Sequence, residues 1–292
     1  MLIFLLGVLN AHATTGLAWT WSVDQPVKYN LEAVVDAPRG QRWVAENNTV
    51  ARTTRSMVRL DVTCSAERAG KSDWSVDCAI DSVKFSGRAL PGEEKALERI
   101  LTQNEAHLEG KSVRLKMGAD GRVKKLDLIG IDTKNRYLAV VFEQVRWMLR
   151  RAFTPMDLKL PKNGDDKDKK WRQKGSPLVF ELAGGQGTAG GVALKHEVSA
   201  ATNDTARIAS KGRAAVTEGP ALEVGTNAML RIKAEGTTQF NTELGIIDWA
   251  QIGTEAEYGA SNFEGIGSLK PSKFSAIISR VRPDGTRLDP AP

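Results

Sequence analysis

The sequence predicts a mainly β, α+β fold: antiparallel curved sheet with two helices packed on a face. Two-residue alternation of apolar and polar side chains recurs from Val27 to Ile278, the period of a strand with one buried face. Only two segments, Pro91–Gly110 and Asp132–Ala152, carry apolar residues at spacings of three and four, as helices do. The strands follow one another at short spacing with turn residues between them, which favours antiparallel meanders.

In chain order, Val27, Tyr29, Leu31, Ala33 and Val35 alternate with polar residues and predict a half-buried strand. Arg39–Asn48 reads as a turn-rich loop carrying Trp43. Val58, Leu60, Val62 and Cys64 share a face of the next strand, and Trp74, Val76, Cys78 and Ile80 share a face of the one after it. Folding this hairpin about Lys71 sets Cys64 opposite Cys78 and Val62 opposite Ile80, and opposed cross-strand positions are close enough to bridge. These are the only two cysteines. A disulfide is favoured over two free thiols if the chain is exported, and a metal pair is poorer because structural zinc wants four Cys or His ligands. After Ile80 the apolar phase slips to Val83 and Phe85, which predicts a β-bulge.

Pro91-Gly92-Glu93-Glu94 opens the first helix, with acids where the helix dipole favours them. Its stripe is Leu97, Ile100, Leu101 and Leu108, and Gly110 ends it. Val113–Met117 and Arg122–Leu126 flank Gly118-Ala119-Asp120-Gly121 as a hairpin with a tight turn. The second helix is expected to start at Asp132 or Thr133, with Leu138, Val141, Phe142, Val145, Leu149 and Ala152 on its apolar side. Arg146, Arg150 and Arg151 in its last turns read as a solvated helix end, the alternative being an anion site. Later strands are signalled by Val192–Val198, Ala228–Ala234, Phe240–Leu244 and Phe274–Ile278.

The resulting division is a signal peptide at 1–13, a β-rich half with both helices at 14–155, a connector at 156–177, a second β-rich half at 178–282 and a disordered tail at 283–292. The connector's centre, Asn163–Lys170, has no apolar residue. The signal peptide rests on the apolar run Met1–Leu9 followed by Ala11-His12-Ala13, which suits signal peptidase. No Lys or Arg precedes that run, and an apolar first strand is the other reading. The run is shorter than the roughly 20 residues needed to cross a bilayer, and no later apolar run is long enough. No cysteine near Thr14 offers a lipid anchor. The expectation is therefore a periplasmic or secreted protein, not lipid-anchored.

The order of signal peptide, strand hairpins, helix, Gly121-Arg122-Val123 hairpin, second helix, Leu160-Pro161 connector, Trp171 and further strands resembles that of uncharacterised exported bacterial β-rich proteins. Their layout is loosely similar to periplasmic lipoprotein carriers and related curved-sheet lipid-binding proteins. The resemblance implies a lipid or other amphiphilic ligand in the concave face of a sheet, and transfers no site residue.

The residues themselves supply little catalytic chemistry. Gly185-Gln186-Gly187-Thr188-Ala189-Gly190 has the letters of a dinucleotide fingerprint, but a strand pattern follows where a helix N-terminus is needed. His107 and His196 have no local metal partners and read as packed residues. No hydrolase serine elbow or zinc-protease motif occurs. Asp248, Glu255 and Glu257 are the candidates for a carboxylate-dependent hydrolase. The net charge of +6 is spread along the chain without interleaved aromatics, which argues against nucleic acid. The seven tryptophans are scattered and read as core or rim residues. No catalytic residue, cofactor or metal is predicted, and the chain leans away from being an enzyme. The leading expectation is a non-catalytic envelope protein holding a hydrophobic or amphiphilic ligand in a concave sheet. An envelope scaffold binding another protein is second, and the hydrolase third.

Overall fold

The computed structural model describes residues 17–22, 25–45, 47, 49–70, 72–131, 136–161, 170–176, 192–202, 204–218, 228–258 and 273–290. The predicted signal peptide, the centre of the predicted connector and the glycine run at 185–190 lie outside these residues. The first half contributes β1 (Val27–Val44), β2 (Val50–Ala69), β3 (Asp73–Ala89), β4 (Ser112–Met117) and β5 (Val123–Ile129). Helix α1 (Glu94–Leu108) stands between β3 and β4, and α2 (Arg136–Ala152) follows β5. The second half contributes β6 (Lys170–Ser176), β7 (Val192–Ala201), β8 (Thr205–Glu218), β9 (Ala228–Asn241), β10 (Ile246–Tyr258) and β11 (Lys273–Val281).

The eleven strands among the described residues join one antiparallel, open, curved sheet in the order β5-β4-β3-β2-β1-β11-β10-β9-β8-β7-β6. Two meanders meet where the first strand pairs with the last, Leu31 opposite Ile278. The sheet's two edges, β5 and β6, are therefore the strands on either side of α2.

The hairpin about Lys71 has the expected register. Cys64 pairs with Cys78 and Val62 with Ile80. The disulfide is formed, with Cα atoms 3.9 Å apart. The register shifts between Asp61–Ser82 and Val62–Ile80, so Asp81 is the extra residue of the bulge that the phase slip predicts. The β4–β5 turn closes by Gly118 donating to the Arg122 carbonyl at 2.8 Å. Gly121 takes φ +84°, a left-handed conformation that glycine adopts without Cβ strain.

Several local expectations are corrected. Arg39–Asn48 is not a loop throughout: β1 continues past an irregularity at 36–41 to Val44, re-pairing Trp43 with Ala51. Burial of the Trp43 ring, whose indole N–H donates to Thr53 and Ser56 at 3.2 Å, accounts for the continuation. Thr242 and Leu244 belong to the β9–β10 turn rather than to a strand. Strand β8 has a weak signal because its inward positions are Ala206, Ile208, Ser210 and Gly212, small or polar residues that blur the alternation. The described part of α2 begins at Arg136, and 132–135 lie outside it. Arg151 is not solvated: it is 1% exposed and its guanidinium lies 3.6 Å over the Trp147 ring.

The helices pack on one face of the sheet. Leu97, Ile100, Leu101 and Leu108 of α1 are buried, as are Val141, Val145, Met148, Leu149 and Ala152 of α2. Helix α1 lies against β2 and β3, whereas α2 lies against β1, β2 and β11. The chain leaves α2 through a short 3-10 turn, Thr154–Met156, that packs on β10 and β11. Phe153, Met156, Leu158 and Leu160 are all buried there. This segment links the two sheet edges. Asp157 accepts from the Val123 amide at 2.9 Å, and Gln173 of β6 donates to the Asp157 carbonyl at 3.1 Å. Beyond β11 the chain turns back, and the Leu288 amide donates to the Arg280 carbonyl at 3.0 Å.

Candidate functional site: the covered face of the sheet

Alternation places Tyr29, Leu31, Leu60, Val62, Val76, Leu115, Ile208, Ile232, Phe274 and Ile278 on one face, all buried. Among the described residues no second sheet covers them. The cover consists of α1, α2, the 153–160 segment and an extended N-terminal stretch, in which Leu17, Trp19 and Trp21 are buried and Ala18, Thr20 and Ser22 exposed. Trp19 stacks on Trp21 with centroids 5.8 Å apart and meets Phe240 edge-on. Its indole N–H donates to the Leu158 carbonyl at 3.1 Å. The Thr20 amide donates to the Gly245 carbonyl at 3.1 Å, so this stretch bridges the β9–β10 turn and the segment behind α2. The scattered positions of the tryptophans hid this arrangement, although the alternation Leu17-x-Trp19-x-Trp21 is a visible signal of an extended, one-sided segment.

Within the covered face, the apolar lining gives way to a polar cluster near β6–β8. His196 Nδ1 lies 2.8 Å from Ser210 Oγ and its Nε2 lies 3.1 Å from Gln173 Oε1. Gln173 Oε1 also accepts from the Lys159 amide at 2.9 Å, which identifies it as an acceptor. His196 therefore carries its proton on Nε2, and the Ser210 hydroxyl donates to Nδ1. Trp171 stacks on the imidazole at 5.4 Å. Burial pushes the His196 pKa down to about 4, with a smaller contribution from the Lys159 charge. The adjoining cavity is about 20 Å³, lined by Pro155, Leu194, His196, Ser210, Thr238 and Ile252 among others. That is room for about one water molecule and not for a substrate. The serine–histidine pair thus closes hydrogen bonds inside the sheet.

Elsewhere on this face the Trp21 indole nitrogen, the Tyr29 hydroxyl and the Thr254 hydroxyl are buried without a hydrogen-bond partner among the described residues. Burial raises the Tyr29 hydroxyl far above the usual phenol range. Trp21 and Tyr29 adjoin, with ring centroids 6.4 Å apart.

Asp248 and Glu255, two of the three predicted carboxylates, do not converge. Asp248 accepts from Arg280 at 2.6 Å and Asn241 at 3.2 Å, and Arg280 is paired in register with the inward-facing Tyr29. Glu255 is bound instead by Lys273 at 2.7 Å, on a strongly exposed part of β10. The Glu257 side chain lies outside the described residues. His107 stands on α1 and His196 on β7, and no group of three His, Cys, Asp or Glu among the described residues is arranged to hold a metal. The exposed large apolar side chains among the described residues, Val50, Ile129 and Leu244, sit on separate elements and make no docking patch. No helix among the described residues is long and apolar enough to cross a membrane.

No family model matches the sequence, and no curated protein matches it. Among solved structures, the chain is similar to one described as lipid–protein interactions in lipovitellin, at TM-score 0.47 and 11% identity. The alignment covers 93% of this chain but only 27% of that one, so this chain spans about a quarter of its length. The likeness is too slight to transfer a ligand or a residue's role.

Proposed function

We propose that this protein is a non-catalytic exported envelope protein that binds a hydrophobic or amphiphilic ligand between the covered face of its sheet and the helices. One observation carries the reading: among the described residues, the apolar face of a single open sheet is covered by two helices and two extended segments rather than by a second sheet. Apolar contact is non-directional, so an acyl chain can take the place of a leucine stripe at similar free energy, about 0.8 kcal/mol per buried methylene. A directional polar interface would not allow that exchange.

The cavity under the cover beside His196 is only about 20 Å³, so ligand entry there requires part of the cover to lift. Apparent affinity then falls in proportion to the fraction of open protein. The disulfide between β2 and β3 fits folding outside the reducing cytoplasm.

Native mass spectrometry of protein isolated from an exporting bacterial host tests the reading. Extra mass that disappears on denaturation is expected, together with saturable uptake of a fluorescent fatty acid by the delipidated protein. A bare mass and no saturable uptake would overturn it.

A further inference from the structure

The outer face of the sheet, turned away from the helices, carries many charges. Over β1–β4, β10 and β11 several cations are neutralised by a carboxylate on the next strand, although like charges also stand opposite there, Arg59 beside Lys84 and Arg55 beside Arg88. Glu32 pairs with Arg59 at 2.8 Å, Asp77 with Arg114 at 2.6 Å, and Glu255 of β10 with Lys273 at 2.7 Å. On β6, β7 and β8 one cross-strand row consists of cations alone and ends opposite Glu235 of β9. Arg172 stands opposite Lys195, and Lys195 opposite Lys211. Arg213, two residues further along β8, adds to this array, and so does Lys174 on β6.

All five of these cations are exposed. None has a carboxylate within 4.0 Å among the described residues, whereas Lys170 beside them is paired with Glu197 at 3.1 Å. Like charges directly opposite on neighbouring strands destabilise a sheet. Placing three in one cross-strand row is a standing cost that Glu235, opposite Lys211, offsets at one end and that an external anionic partner would relieve further.

We propose that the outer face of β6–β8 docks on an anionic phospholipid bilayer. Strands lie about 4.8 Å apart and alternate residues about 7 Å apart along each strand. The cations therefore form a broad two-dimensional array suited to a surface of headgroups. No aromatic side chain among the described residues stands within this array, so it shows no stacking platform of the kind that single-stranded nucleic acid uses. The bilayer is chosen over soluble polyanions because the array spans three strands rather than following one groove. This docking does not depend on what the covered face holds.

The test is co-flotation of the intact protein with vesicles of phosphatidylcholine containing about one-third phosphatidylglycerol, compared with phosphatidylcholine alone. Binding is expected only to the anionic vesicles and is expected to weaken as salt is raised. Each cation near such a surface contributes about fivefold in affinity, so a Lys195→Gln/Lys211→Gln variant should bind about 30-fold more weakly. Arg59→Gln, a cation of the paired region, should bind within about twofold of the unsubstituted protein. Circular dichroism melts check that each variant is folded. Equal binding to neutral vesicles, undiminished binding by the double variant, or binding to heparin with none to vesicles would each overturn the proposal.

Discussion

Lowering the pH from 7 to 4 should destabilise this protein through one residue, His196. Its imidazole is 2% exposed and sits between Ser210 and Gln173, both of which are satisfied by its neutral form. A protonated ring would carry hydrogen on Nδ1 as well, and the Ser210 hydroxyl could no longer donate to that atom. Burial and the nearby Lys159 charge set the folded-state pKa at about 4, against 6.5 for an ordinary histidine. In the window between those values the unfolded chain binds a proton that the folded chain refuses. Stability is therefore fully present above pH 6.5, falls as pH drops through the window, and levels off below about 4. That difference from an ordinary histidine corresponds to about 3 kcal/mol, a large part of a typical domain's stability. Urea denaturation at stepped pH, for the protein and for His196→Gln, isolates the contribution of this imidazole. The unsubstituted protein should lose about 3 kcal/mol more than the variant between pH 7 and 4. NMR titration of the ring gives an independent reading that does not require the variant to fold. Parallel pH curves, or a His196 resonance titrating near 6.5, would refute the argument.

Three further outcomes are expected. Replacing both Cys64 and Cys78 with Ala should lower stability by about 3 kcal/mol, read from denaturation midpoints, because the bridge closes a loop of 14 residues' separation between fully buried positions. Gly121→Ala should cost about 2–4 kcal/mol, since φ is +84° and a Cβ there would collide with the Trp19 indole and the Leu158 carbonyl. Gly70→Ala, at φ +76° with open space around it, should cost only about 1 kcal/mol of backbone strain; equal losses would mean that Trp19 is not seated there. Asp248→Ala should cost about 3 kcal/mol in thermal or chemical denaturation, because it strands Arg280, whose side chain is only 18% exposed. Glu255→Ala, breaking an exposed pair, should leave the midpoint unchanged within error.

Strands with bulky inward residues were legible one by one. Val58–Cys64 and Trp74–Ile80 declared both their period and their register, because a one-residue slip would have turned every apolar side chain to water. The bulge at Asp81 was visible for the same reason. Strand β8 was not, because its inward positions are small or polar and lie close against β7. Ser210 meets His196 there, and a Cβ on Gly212 would strike the Ala193 carbonyl and Leu194. Trp43 was assigned to a loop because its hydrogen-bond partners, Thr53 and Ser56, belong to the next strand.

The candidate site divides in the same way. Local sequence determined which residues are apolar, which face of each strand they occupy, the two helical stripes and the cysteine pairing. These depend on backbone period and on neighbours a turn away. Tertiary structure alone decided that β1 joins β11, so that two meanders become one sheet, and that Trp19 lies against Phe240 and Leu158. It also decided that Gln173, His196 and Ser210 meet in the interior and that Arg172, Lys195 and Lys211 align outside. Each of these contacts joins residues from different strands or segments. Their proximity is set by the summed register of the whole sheet, which no local pattern encodes.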